Sequence, residues 1–184
     1  MLALLTSLPL MFGERFGLDG SGSPALTRLE ERYKVIPVGV ADAPSLEGQH
    51  LLLMAHPRAQ PAEALVELDQ WVRDGGRILL LADPKLDWPS DRALGDKLRP
   101  PPAFADTGLL RHWGLDLEAP APNSAVSAGK LSGNKCRVRE GGLVAHCAIG
   151  RGRATVIADA DFLNSDQAEQ LDLLVRELEQ LESR

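Results

Sequence analysis

The chain has 184 residues, 20 Lys and Arg against 26 Asp and Glu, 44% hydrophobic residues and 4% aromatics. That length suits a single domain, residues 1–184, with a core of its own, and a formal charge of -6 argues against a nucleic-acid binder, which carries a basic excess. Disordered, collagen-like, coiled-coil and disulfide-scaffold classes fail on the same composition, and no apolar run reaches the roughly 18 residues of a membrane span.

Residues 2–5 form a short apolar run closed by Thr6 and Ser7, which predicts a buried strand, and residues 13–23 are too Gly-rich for regular structure. The apolar opening lacks the basic start and cleavage site of a signal peptide. Because it begins at Met1, it leaves open a longer natural protein: cytoplasmic as given, or periplasmic if a segment has been removed. Pro24 opens a helix through Tyr33, with Leu26, Leu29 and Tyr33 on one face, and a strand follows over 34–40. After a polar turn, residues 51–55 are a continuous apolar run of the kind found in central parallel strands.

The clearest helix starts at Pro61, carries Leu65, Leu68, Trp71 and Val72 on one stripe, and stops at Gly75-Gly76. A strand over 77–82 completes a βαβ unit. Residues 84–105 give a 22-residue stretch rich in Pro, Asp and Lys, long enough to predict a lid or docking loop. A short helix over 107–113, a strand over 115–117 and a surface excursion over 119–134 follow. Residues 136–140 and 143–149 flank Gly141-Gly142 as a two-residue hairpin turn. The last buried strand covers 154–158, and a helix capped by Asn164 or Ser165 runs to the end with Leu171, Leu174, Val175, Leu178 and Leu181 on one side.

Ligands of open parallel sheets bind beyond the carboxyl ends of the strands. Thr6, Ser7 and Glu14 follow the first strand, His56 and Arg58 the third, Asp83 and Asp87 the fourth, and Asp159, Asp161 and Asn164 the last. Asp83, Asp159 and Asp161 could gather as oxygen ligands or crowd one carboxyl into a general base; the plainer reading is that they cap loops and helix starts. No G-x-S-x-G elbow, P-loop or dinucleotide fingerprint is present, so the chain predicts neither a catalytic residue nor a cofactor nor a dedicated metal.

If Gly141-Gly142 is the turn, facing residue numbers sum to 283, and Cys136 faces Cys147 on a face shared with Val138, Leu143 and Ala145. That apolar face favours two buried thiols, while the facing geometry also permits a disulfide. Lys130, Lys135, Arg137, Arg139, Arg151 and Arg153 form a basic cluster in an acidic chain, read either as a solvated hairpin face or as an anion-binding surface.

The stretch LLLMAHPRAQPAEALVELDQWVRDGGRILLLADP, residues 51–84, together with GRGRATVIADADFLNS, residues 150–165, resembles the domain of unknown function in auxiliary subunits of uncharacterized ABC-type transport systems, including the gliding-motility kind. These domains look like class I glutamine amidotransferases without their chemistry. The resemblance implies a three-layer, flavodoxin-like α/β fold with a mainly parallel sheet and a C-terminal β-hairpin extension. The amidotransferase thiol is replaced by Ala82, Asp83 and Pro84, and its His-Glu pair by Asp159 and Asp161.

The function expected is therefore a non-catalytic accessory domain that binds a partner, ABC-transporter subunits by the resemblance, or a ligand. Its candidate ligand site is Ser7, His56, Arg58, Asp83, Asp159 and Asp161. Its candidate partner surface is Trp88 with Pro100, Pro101 and Pro102. The alternative is a metal-assisted hydrolase built on the Asp cluster.

Overall fold

The computed structural model describes residues 1–11, 22–124, 127–165 and 167–183. A seven-stranded sheet in the order β2-β1-β3-β4-β9-β8-β7 forms the middle of a three-layer α/β fold. Its strands are β1 (Leu2–Thr6), β2 (Val35–Pro37), β3 (Leu51–Ala55), β4 (Arg77–Leu81), β7 (Arg137–Arg139), β8 (Val144–Ile149) and β9 (Gly152–Ile157). The first five in spatial order run parallel, and β8 and β7 add antiparallel at one edge.

Alternation along the strands divides the core between the two faces. Leu52, Met54, Ile78, Leu80, Ala154 and Val156 face α3 (Ala62–Arg73) and α4 (Leu109–Trp113), while Leu53, Leu79, Leu81 and Ile157 face α1 (Pro24–Glu30) and α5 (Ala168–Ser183). Every residue of β3 is buried, as its unbroken apolar run requires, because both faces are covered. On α5, Leu171, Leu174, Leu178 and Leu181 are buried, each contributing about 1.5–3 kcal/mol of transfer free energy. Among the described residues no helix is long and apolar enough to cross a membrane.

Several elements depart from expectation for local reasons. The first helix ends at Glu30 rather than Tyr33, because Tyr33 leaves the helical path, buries its ring and donates its hydroxyl to Glu182 at 2.8 Å. The strand expected over 34–40 is only Val35–Pro37, an edge strand whose proline lacks the N–H to extend pairing. The polar turn before β3 contains a short helix, α2 (Ala43–Leu46), capped by the Asp42 carboxylate accepting from Ser45 N at 3.0 Å. The 119–134 excursion includes a strand, β6 (Lys130–Gly133), paired antiparallel with β5 (Leu115–Glu118). Its signal is weak because only Leu131 of the four is buried. A 3-10 turn over Asp161–Asn164 precedes α5, which starts at Ala168. Glu14 and most of the Gly-rich stretch lie outside the described residues.

The hairpin keeps the predicted register, with Arg137 opposite His146 and Arg139 opposite Val144. Its connection is four residues rather than two: Glu140, Gly141 and Gly142 all take positive φ, and Leu143 joins the opposite core face from Cys136. Cys136 and Cys147 are joined in a disulfide across β7 and β8, with Cα atoms 4.4 Å apart, so the expectation of two thiols is replaced by a covalent staple on the sheet edge. Directly facing cysteines at this separation lie within bridging reach.

The close approach of β9 to the end of α3 depends on glycine. A Cβ on Gly152 would lie 2.0 Å from the Val72 carbonyl oxygen and 2.2 Å from that of Gly76. Gly152→Ala is therefore expected to cost about 2–3 kcal/mol, read as a lower urea midpoint; an unchanged midpoint would contradict the packing described. Reduction of the disulfide, whose ends are 11 positions apart in the chain, should remove about 3 kcal/mol in the same assay, and no change on reduction would contradict the staple.

Candidate functional site

The carboxyl ends of β1, β3, β4 and β9 form a continuous polar seam. Order along the sheet reverses direction between β1 and β3, which is where an open parallel sheet offers a crevice. Here the crevice is bridged: the Ser7 hydroxyl donates to the His56 carbonyl at 2.5 Å, and the Thr6 hydroxyl donates to the Ala55 carbonyl at 2.8 Å.

His56 is fully buried and sits at φ 46, a left-handed conformation uncommon outside glycine. Its N–H donates to the Leu81 carbonyl at 3.1 Å, extending the pairing of β3 with β4 by one residue. The ring Nε2 lies 2.9 Å from the Pro101 carbonyl, which can only accept, so Nε2 carries the hydrogen and Nδ1 keeps a lone pair that is buried without a partner. Burial pushes the imidazole pKa down against the opposing influence of the Pro101 carbonyl and the Asp83 charge, so the ring is neutral near pH 7.

Asp83, also fully buried, closes the neck of the 84–105 loop. One carboxyl oxygen accepts from Lys85 N at 2.8 Å and the other from Ala160 N at 3.0 Å, while its carbonyl accepts from Phe104 N at 2.7 Å. Asp159 accepts from Asp161 N at 2.8 Å, and Asp161 accepts from Asp87 N at 2.8 Å. Arg58 donates through Nη2 to the carbonyls of Lys97 and Arg99, both at 2.6 Å. The polar groups at the strand ends are thus the anchors of the loop above them.

One oxygen from each of Asp83, Asp159 and Asp161 lies within 4.8 Å of the others. Burial raises the Asp159 carboxyl, opposed by the Asp161 N–H and reinforced by the Asp83 charge. Burial is also the largest influence on Asp161, which is pushed up to about 6 with the charges of Asp83, Asp159 and Asp87 adding to it. These oxygens suit a hard divalent cation in type, although both oxygens of Asp83 already accept backbone N–H groups.

The partner-surface candidates differ in exposure, with Pro101 half-buried and Pro102 exposed. Trp88 is half-buried against the α1 and α5 face of the core, Pro100 is buried, and the carbonyls of Pro101 and Pro102 accept from His56 Nε2 and, at 2.9 Å, Leu86 N. What the loop presents outward is Leu94, 88% exposed, and Leu98, 60% exposed. Sequence reasoning passes over both because isolated leucines in a loop carry no periodicity. It also passes over Glu177, 3% exposed, whose carboxylate lies 2.7 Å from His146 Nε2. Its place between Leu174 and Leu178 on the buried stripe is the signal that marks it. The basic cluster separates: Arg151 pairs with Asp74 at 3.2 Å, Lys130 sits on β6, and the other four line a groove beside α5.

The raised Asp161 pKa fixes a sign. Folded Asp161 holds its proton to about 6, above the unfolded 3.8, so its contribution is fully present below the unfolded value and lost as pH rises through the folded one. Asp161→Asn keeps an oxygen for Asp87 N and removes the charge. It should be more stable than wild type by ~1 kcal/mol at about pH 8, after discounting for solvent screening, with the gap shrinking toward about pH 4. Urea unfolding across that range reads it, and a gap independent of pH would contradict the raised pKa that burial and the neighbouring charges give Asp161.

No protein-family model matches the chain, and no curated protein matches it. Among solved structures it is similar to the mmIFT52 N-terminal domain, at 16% identity over 97% of each chain with a TM-score of 0.61. It is also similar to cytoplasmic protein STM1381 from Salmonella typhimurium LT2, at 13% identity over 98% of this chain and 99% of that one, TM-score 0.51. A third, cytoplasmic protein STM3548 from Salmonella typhimurium, shares 12% identity over 98% of each chain, TM-score 0.51. At these identities the likeness is one of fold, and it extends over nearly the whole chain.

Proposed function

We propose that the chain is a non-catalytic accessory domain that binds a partner through the 84–105 loop, in an envelope ABC-type transport or assembly system. The observation that carries this reading is the filled strand-end crevice, where Ser7, His56, Arg58, Asp83 and Asp161 all hold the chain's own backbone. The β2-β1-β3-β4-β9 run of parallel strands is the order of flavodoxin-like folds, which supports the class I glutamine amidotransferase kinship. Where that kinship would place a nucleophile, Asp83 is buried and bound to Lys85 N and Ala160 N. The anchored loop then offers Leu94 and Leu98 from a fixed frame, the kind of apolar contact that a partner buries.

The test is affinity capture with the tagged domain from detergent-solubilised membranes, compared with Leu94→Asp/Leu98→Asp and a tag-only control. Recovery of ABC-transporter subunits by wild type and at least a tenfold loss with the variant is expected. Recovery of none, or equal recovery by both, would contradict it.

A second reading, a metal-assisted hydrolase, is favoured by the spacing of the three carboxylates. It requires Mg²⁺ or Ca²⁺ to raise the melting temperature of wild type and not of Asp161→Asn.

A further inference from the structure

On the α5 side of the sheet, below the strand-end seam, lies a groove of about 360 Å³ between β7, β8, β9 and the last turns of α5. Arg137 and Arg139 project into it from the edge strand, Arg153 from the start of β9 and Lys135 from the approach to β7. None of these four side chains has a hydrogen bond or ion pair among the described residues. Glu177, which meets the groove residue His146 at 2.7 Å, also pairs with Arg176 at 3.3 Å, and Glu140, the chain neighbour of Arg139, pairs with Arg176 at 3.1 Å. Four cations therefore converge on one concavity in a chain of formal charge -6. Like charges held together repel, and their arrangement is stabilised when an anion enters.

We propose that this groove binds a compact polyphosphate, or an equivalent oxyanion with several charges, through Lys135, Arg137, Arg139 and Arg153. The volume falls within the range of small-molecule sites, roughly 300–1,000 Å³, and guanidinium forks match phosphate oxygens in pairs. Among the described residues no Phe, Tyr or Trp lines the groove, and these supply the stacking platform that a single-stranded nucleic acid uses. The disulfide between Cys136 and Cys147 fixes the edge strand beside Arg137, which preorganises the cations at a position where an edge strand otherwise frays. The phosphates belong either to a soluble ligand or to a lipid headgroup. The proposal is independent of the partner loop, which lies at the carboxyl ends of the strands.

The test is calorimetric titration of the intact, non-reduced chain with inorganic tripolyphosphate, beside flotation with phosphatidylcholine vesicles containing phosphatidic acid and with vesicles of phosphatidylcholine alone. Arg137→Gln/Arg139→Gln should weaken binding at least tenfold, and rising salt should weaken wild type further. Arg153→Gln serves as the second groove variant if the double variant fails to keep its circular dichroism spectrum. Lys97→Gln/Arg111→Gln removes the same charge elsewhere and should bind like wild type. Tripolyphosphate binding with this pattern supports a soluble ligand, and the same pattern on phosphatidic acid vesicles alone supports a headgroup. Absence of both, or equal loss in the Lys97 and Arg111 control, would overturn the site.

Discussion

The structure turns on the carboxyl group of Asp83. It is fully enclosed, and a buried charge or polar group is tolerated only when its hydrogen bonds are made. Both oxygens are satisfied by backbone N–H groups, from Lys85 at the start of the long loop and from Ala160 just beyond β9. Its own carbonyl takes the N–H of Phe104 at the far end of the same loop. One residue at the tip of β4 thereby joins two neighbouring parallel strands and closes the neck of a loop that would otherwise carry a large ordering cost. Hydrogen bonds to a charged acceptor are worth about 1.5–3 kcal/mol each, so the neck is fastened more firmly than an exposed loop.

From that neck the other strand-end groups extend the same logic. His56 and Arg58 hold the carbonyls of Pro101, Lys97 and Arg99, and Asp161 holds the N–H of Asp87. Side chains that in such sheets often face a ligand are bonded here to backbone, and Leu94 and Leu98 of the loop above them face outward. The raised pKa of Asp161 reflects this arrangement, chiefly through burial, with the neighbouring charges of Asp83 and Asp159 adding to it.

Much of the fold is legible in the sequence because its strongest signals are burial signals. Unbroken apolar runs mark β3 and β4, Gly75-Gly76 marks the end of α3, and the sum of 283 gives the hairpin register from residue numbers alone. The same pairing rule brings Cys136 opposite Cys147, but whether facing thiols join is not written in residue spacing. β6 escapes because a four-residue strand with one buried side chain has no period to detect. For the site, the rule that ligands gather at strand ends finds the three Asp residues that do come together. It cannot find their partners, since these are backbone N–H groups, of Lys85, Asp87, Ala160 and Asp161, which almost any residue type supplies.

The most direct measurement is native-state hydrogen exchange on wild type and on Asp83→Ala, followed at single-amide resolution. The account predicts that the amides of Lys85, Phe104 and Ala160 are protected together in wild type. It also predicts that they lose protection together in the variant while β3 and the centre of β4 remain slow. Fast exchange of Lys85 and Phe104 in wild type, or unchanged protection of all three in Asp83→Ala, would contradict the claim that this carboxyl fastens the loop.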